Sequence, residues 1–263
     1  MANGISVVIP TKGRAEQMGE VMESLQWQTH PVRELVIVDD SGEDDRRNNL
    51  STIHAFRERM RPSFTIVHLP GRGIGAADAR NQGAESCTGD VVSFIDDDVV
   101  LERDYYSEVM KALSDPGVAG VTGKITNYHP VSFLWTLINK LCFQSTVSSR
   151  RGYLRRSGLP CFLIHADAIT DVEVMSGSNM SYRKDVFSEH LFDARLKGYS
   201  YLEDADLSYR VSRDHRLVLN PSCRLVHNSY EKGINLNYHQ VKLSYHRYIF
   251  NKHLSRNPLN LIP

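Results

Sequence analysis

Four short apolar runs limit this chain to very few folds. They are Ile5–Pro10 (ISVVIP), Leu35–Asp40 (LVIVDD), Phe64–Leu69 (FTIVHL) and Val91–Asp96 (VVSFID). Between them, apolar residues recur at helical spacing: Met18, Val21, Met22 and Leu25, then Ile53, Phe56 and Met60, then the alanine-rich stretch Ala76–Glu85. A β-branched run without polar alternation has no face to offer water, so both faces of its strand must be covered. Helices returning over alternate sides of a parallel sheet provide that cover. The fold class is therefore α/β, with a Rossmann-like, mostly parallel central sheet flanked by helices.

The second half is less regular. Strands are expected at Val118–Gly123, Cys161–His165, Val172–Ser176 and Arg216–Asn220, and helices at Val131–Phe143, Leu202–Arg213 and Leu236–His253. A soft boundary near Lys124, inside one continuous fold, divides residues 1–124 from a smaller half at 125–227 and a C-terminal helical segment at 228–263. An apolar content of 41% is enough for a core, and 31 Lys plus Arg against 31 Asp plus Glu argue against a nucleic-acid partner. Cys87, Cys142, Cys161 and Cys223 are scattered and form no CxxC pair. Two disulfides are open on count alone, but scattered thiols at this chain length read as buried, reduced residues of a cytoplasmic protein. No basic leader precedes a long apolar segment, and no run of 18 apolar residues occurs, so neither a signal peptide nor a membrane span is expected.

Ligands of open α/β sheets sit at the carboxyl ends of the strands. Three of those ends are distinctive here: Pro10-Thr11-Lys12-Gly13-Arg14, Asp39-Asp40-Ser41 and Asp96-Asp97-Asp98. If the triplet is extended, Asp96 and Asp98 face one way and Asp97 the other. Clustered carboxylates suit a hard cation such as Mg²⁺ or Mn²⁺, which could hold a diphosphate leaving group. A solvated turn is the plainer account of three acids, but a turn that follows a wholly apolar strand has no need of them. Gly71, Gly73 and Gly75 allow close backbone approach before a helix start that could receive phosphate. Their spacing is not GxGxxG, and no GKS or GKT follows, so a dinucleotide fold or P-loop is poorly supported.

SVVIPTKGR, LVIVDDS and ARNQGAESCTGDVVSFIDDD, in this order, resemble the inverting glycosyltransferase family 2, whose members have the GT-A fold. SGSNMSYRKDVF (Ser176–Phe187) and FDARLKGYSYLEDADLSYRV (Phe192–Val211) extend the likeness to about His227. The resemblance implies a nucleotide-sugar donor, a UDP-sugar by preference with dTDP next, and a glycan, lipid-linked or protein acceptor. Pro10, Thr11 and Arg14 would line the nucleotide pocket. Asp40 would accept a hydrogen bond from the base with Asp39 beside it, an acceptor facing a pyrimidine N–H. Arg80 would hold the nucleotide or its phosphates, and Asp97 ribose or sugar. Asp98 would bind Mn²⁺ or Mg²⁺, with Asp96 assisting and His227 as a further ligand. Asp204, in the pair Glu203-Asp204, would be the general base. Asn179 and Met180 would form the wall facing acceptor or donor sugar.

Two other functions share some of these features. A sugar-phosphate nucleotidyltransferase would need a glycine- and lysine-bearing loop after the first strand and no base at Asp204. A non-catalytic nucleotide-sugar-binding module would have little use for both the acid triplet and the Glu-Asp pair. Val131–Phe143 followed by Arg150, Arg151, Arg155 and Arg156, and Tyr238–His253 with its interleaved aromatic and basic residues, make an interfacial pattern. That pattern would place the protein peripherally at the inner face of a membrane. A core helix with a solvated basic face is the preferred alternative.

Overall fold

The computed structural model describes residues 4–128, 146–148, 151–163, 166–198, 200–228 and 236–254. The expected segment Val131–Phe143, Arg150, Cys142 and His165 lie outside them.

The first half winds as its pattern requires: β1 (Ile5–Thr11), α1 (Ala15–Gln26), β2 (Val32–Asp39), α2 (Glu43–Met60), β3 (Thr65–Pro70), α3 (Ala76–Ser86) and β4 (Val91–Ile95). These strands pair in parallel in the order β4-β1-β2-β3. Burial explains the absence of alternation. Val7 belongs to the core under α1 and α2, and its neighbour Val8 to the core under α3, and both are fully buried. α3 lies so close to the sheet that a Cβ on Gly83 would collide with Val8.

Next come β5 (Val99–Leu101), α4 (Tyr105–Leu113) and β6 (Val118–Ile125). The chain then makes a separate three-stranded sheet from β7 (Thr146–Ser148), β8 (Tyr153–Leu154) and β9 (Pro160–Leu163). β10 (Thr170–Val172), β11 (Asn179–Arg183) and β12 (Arg216–His227) return to the main sheet. Its order is β10-β12-β6-β11-β4-β1-β2-β3, with β5 pairing on the far end of β12. β11 is antiparallel to both β4 and β6, so it closes the gap between the two parts of the sheet. Lys124 falls within β6 and pairs with Arg224.

The expected strand at Val172–Ser176 is in fact β10 ending at Val172 and β11 starting at Asn179. Polar residues hide β11, because Ser181 is buried by hydrogen-bonding the hydroxyl of Ser93 at 2.9 Å rather than by apolar contact. Cys87, Cys161 and Cys223 are buried, and none is joined in a disulfide among the described residues.

α5 (Glu203–Val211) starts after Leu202, and α6 (Leu236–His253) packs beside it. Ile249 is fully buried with Leu154, Val174, Leu196, Leu202 and Ala205. Tyr248 Oη and Lys252 Nζ donate to Asp193 Oδ2 at 2.6 and 2.7 Å. Lys252 Nζ also lies 2.6 Å from Asp206 Oδ1, which His253 Nε2 meets at 2.8 Å. The expected solvated basic face is thus partly an inward one, where Lys252 and His253 meet the carboxylates of Asp193 and Asp206. Among the described residues no helix is long and apolar enough to cross a membrane.

Candidate active site

The carboxyl ends of β1, β2 and β4 converge at one edge of the sheet, where the strand-end acids become neighbours. Asp96, Asp97 and Asp98 form a turn between β4 and β5 rather than an extended segment. Asp96 and Asp98 nevertheless converge, because β12 pairs antiparallel with β5 and places His227 opposite Val99. Ligating atoms of Asp96, Asp98 and His227 all lie within 4.8 Å of one another. His227 Nε2 is 3.0 Å from Asp98 Oδ1. Burial would lower the His227 pKa, but the Asp98 carboxylate outweighs it and raises the imidazole above its ordinary value. Burial would likewise raise Asp98, and hydrogen bonding from His227 with the charge of Arg14 lowers it instead.

Arg14, just past β1, holds the other side of the triplet. Its Nη1 donates to Asp97 Oδ1 at 2.9 Å and to Asp98 Oδ2 at 2.6 Å. Thr11 Oγ1 donates to Asp97 Oδ2 at 2.7 Å. Burial dominates at Asp97 and pushes it up to about 6 despite these partners. Two carboxylates and an imidazole are a mixed oxygen and nitrogen donor set that fits Mn²⁺ well, and Mg²⁺ less readily.

At the end of β2 the adjacent aspartates differ in environment. Asp39 is fully buried and saturated, taking Ser41 N at 2.9 Å, Asn49 Nδ2 at 3.0 Å and His68 Nε2 at 3.0 Å. Burial opposes its charge, but these hydrogen bonds hold it well below the usual carboxylate range. Asp39 therefore shapes the β2 end from within. Asp40 is half-buried and points the other way, with Oδ1 accepting from Gly73 N at 2.9 Å. A Cβ at Gly71 would collide with that carboxylate, which explains a glycine there. Pro10 is half-buried in β1, opposite Val38 of β2.

Arg80, on α3, joins the two acidic groups. It is 3% exposed. Nη1 donates to Glu203 Oε1 at 2.7 Å, and Nη2 to Asp96 Oδ1 at 2.9 Å. The guanidinium expected to hold phosphate is thus committed to carboxylates. Glu203 and Asp204 open α5, and the preceding Leu202 is held at φ 73. A bulky residue in that left-handed region is strained, the kind of backbone a buried framework must impose. Asp204 Oδ2 accepts from Gly177 N and Oδ1 from Ala205 N, both at 2.7 Å. Burial outweighs those hydrogen bonds and raises the Asp204 pKa, making it a stronger base. Burial also raises Glu203, against the pull of Arg80.

Asn179 is 1% exposed, and its Oδ1 accepts from Thr122 Oγ1 at 2.9 Å, from Gly123 N and from Tyr105 Oη at 3.3 Å. Met180 is fully buried in the core. Met180 thus sits in the core behind the site, whereas Asn179 lines a cavity with Thr122, Gly123, Met175 and Ser176. His68, Asn49 and Gly177 are site supports that the strand-end reading passes over, although His68 sits in β3 beside the acids of β2.

Residues 6–191 match the family Glycosyl transferase family 2. A glucosyl-dolichyl phosphate glucuronosyltransferase from Haloferax volcanii is 25% identical over 250 residues, covering 86% of this chain and 70% of that protein. Solved structures are similar as well. The mannosyltransferase PcManGT of Pyrobaculum calidifontis, solved with GDP-Man and Mn²⁺, superposes with a TM-score of 0.62 at 20% identity, over 96% of this chain and 64% of that one. GalNAc-T7, solved with UDP, GalNAc and Mn²⁺, gives a TM-score of 0.64 at 16% identity, over 85% of this chain and 43% of that one. With a GT-A fold and a family match across most of its length, the chain belongs to glycosyl transferase family 2.

Proposed function

We propose that this protein is an inverting, metal-dependent glycosyltransferase that moves a sugar from a nucleotide-sugar donor, a UDP-sugar by preference, to a hydroxyl acceptor. The observation that carries the reading is the chain of contacts from Asp98 and His227 through Asp96 and Arg80 to Glu203 and Asp204. It joins a cation-binding corner to a half-buried base, a juxtaposition that a binding module does not need. The donor half would be residues 1–124 and the acceptor half residues 125–227, with the helical segment 228–263 bracing them.

Asp98, Asp96 and His227 would hold Mn²⁺ or Mg²⁺, which when bound neutralises the diphosphate as it leaves. Thr11 and Arg14 fix Asp97 for contact with ribose or sugar, and Asp40 offers an acceptor to the base. Arg80 holds Glu203 and Asp96 in register. Asp204 takes the acceptor proton as oxygen attacks the anomeric carbon, a single displacement that inverts the centre. The acceptor class is a glycan, a lipid-linked saccharide or a protein, and the lipid-linked class is favoured by the dolichyl phosphate relative. Peripheral membrane contact would follow from such an acceptor.

A thermal-unfolding screen with UDP, dTDP and GDP, each with Mn²⁺, Mg²⁺ or EDTA, tests the reading. A ligand at 100 times its Kd adds about 2.7 kcal/mol, raising Tm by about 5 °C or more. A Mn²⁺-dependent shift with UDP is expected. A shift with GDP alone would overturn the choice of base, and no shift with any nucleotide would overturn the donor site.

A further inference from the structure

A second group of metal-binding side chains lies away from the acid triplet. Glu189 and His190 follow the 3-10 turn Lys184–Ser188 after β11, and Asp214 and His215 turn the chain from α5 into β12. The fold brings these two turns together. One ligating atom from each of Glu189, His190 and His215 falls within 4.8 Å of the others. The two imidazoles meet edge to face, with centroids 6.1 Å apart.

His190 marks this as more than a chance surface cluster. It is 9% exposed, and its Nε2 is buried without a hydrogen-bond partner. The Asp214 carboxylate stands 3.6 Å from that nitrogen, beyond hydrogen-bond range. A buried polar atom left this way is costly unless something fills the place. Burial and the charge of Arg210 hold the His190 pKa below its ordinary value. Arg210 itself is matched by Asp206 at 3.1 Å and by the Leu191 carbonyl.

We propose that His190, His215 and Glu189, with Asp214 as fourth donor, form a divalent-metal site of the zinc type. Two imidazole nitrogens with carboxylate oxygens are a borderline donor set, whereas Mg²⁺ and Ca²⁺ prefer oxygen alone. The two carboxylates balance the ion's charge. Ligands on bonds of about 2.1 Å sit roughly 3.4 Å apart in a tetrahedron. Glu189 and His215 are exposed and can swing in to that spacing while His190 stays in place. The ion would pin the last turn of α5 to the turn after β11.

The test uses the full chain, freed of metal, with Asp98→Asn to weaken the acid triplet's own claim on the ion. Zn²⁺ is titrated calorimetrically into this protein and into the same protein carrying Glu189→Gln or His215→Gln. Both added changes are at exposed positions, and unchanged circular dichroism confirms that the fold survives. Co²⁺ absorption in the visible gives a second readout of tetrahedral imidazole ligation. One equivalent of Zn²⁺ is expected in the Asp98→Asn protein, resistant to excess Mg²⁺, with each added substitution weakening it about tenfold or more and removing the Co²⁺ bands. Loss of all Zn²⁺ binding on Asp98→Asn alone overturns the proposal. So does binding indifferent to His215→Gln, or binding displaced by Mg²⁺.

Discussion

Asp206 is the point at which the docking of α6 can be measured. It is fully buried, with Lys252 at 2.6 Å and His253 at 2.8 Å on Oδ1 and Arg210 at 3.1 Å on Oδ2. Burial alone would raise its pKa, but His253, Arg210 and Lys252 hold it low, so the carboxylate is charged at neutral pH. Asp206→Asn keeps the shape and removes the charge. Taking one partner from a buried ion pair costs about 3–5 kcal/mol. The low end applies, because Lys252 keeps Asp193 at 2.7 Å and Arg210 keeps the Leu191 carbonyl. A loss of about 3 kcal/mol lowers Tm by about 6–12 °C if the whole fold feels it. If α6 releases first, the same energy raises the open population on the order of a hundredfold, and tryptic cleavage at Arg247 and Lys252 accelerates in proportion. Because the folded-state pKa is lowered, the stabilisation is present above the ordinary aspartate range and fades as pH falls through the folded value. The gap between the two proteins should therefore close in acid. Tm within 1 °C of the parent with unchanged proteolysis, both at pH 7, would refute the inward assignment of Lys252 and His253.

Two further perturbations address the site. Asp204→Asn should lower kcat by roughly 10²–10⁴-fold while leaving the Kd of nucleotide with Mn²⁺ unchanged, as judged by calorimetry, because it removes the base and not the donor contacts. Asp97→Asn should stabilise the metal-free protein at pH 7.5 by up to about 3 kcal/mol, since a rise from 3.8 to about 6 penalises the buried anion by that much. The sign follows from a raised pKa. The Asp97 contribution is intact below the unfolded value and lost as pH climbs through 6, so parent and variant should melt together at pH 4 and diverge above it.

Much of the fold is legible in the sequence because two-sided burial leaves a simple mark. Ile5–Pro10 is interrupted only by Ser6 and Leu35–Val38 by nothing polar, and the runs Ile5–Pro10 and Leu35–Asp40 each lie inside a strand or overrun it by a single residue. The acids were legible for the same reason, since a parallel sheet must bring strand ends to one edge. β11 is not, because its burial rests on the Ser181–Ser93 hydroxyl pair and on Asn179 bonded to Thr122, contacts between distant segments. α4 also escapes the reading, although Tyr105, Tyr106, Val109 and Leu113 are spaced as a helix face. The contacts of Arg80 with Glu203 and Asp96 could not be read from the sequence, because Glu203 lies 123 residues away. The basic residues of α6 read as solvated because their partners, Asp193 and Asp206, belong to another part of the chain.

The order of strands in the sheet also bears on how the protein is made. β4 and β6 lie on either side of β11, and β6 pairs along its length with β12, which ends at His227. As the chain leaves the ribosome, β4 and β6 therefore emerge long before the strands that cover their edges. At about 5–20 residues per second, their ladder groups and the apolar faces around Phe94 and Val121 stand open for roughly 5–20 s. Such edges pair readily with other chains. Premature termination anywhere between β6 and β12 should thus yield aggregates rather than a smaller folded unit, and overexpression should be most forgiving where translation is fast relative to encounter between nascent chains.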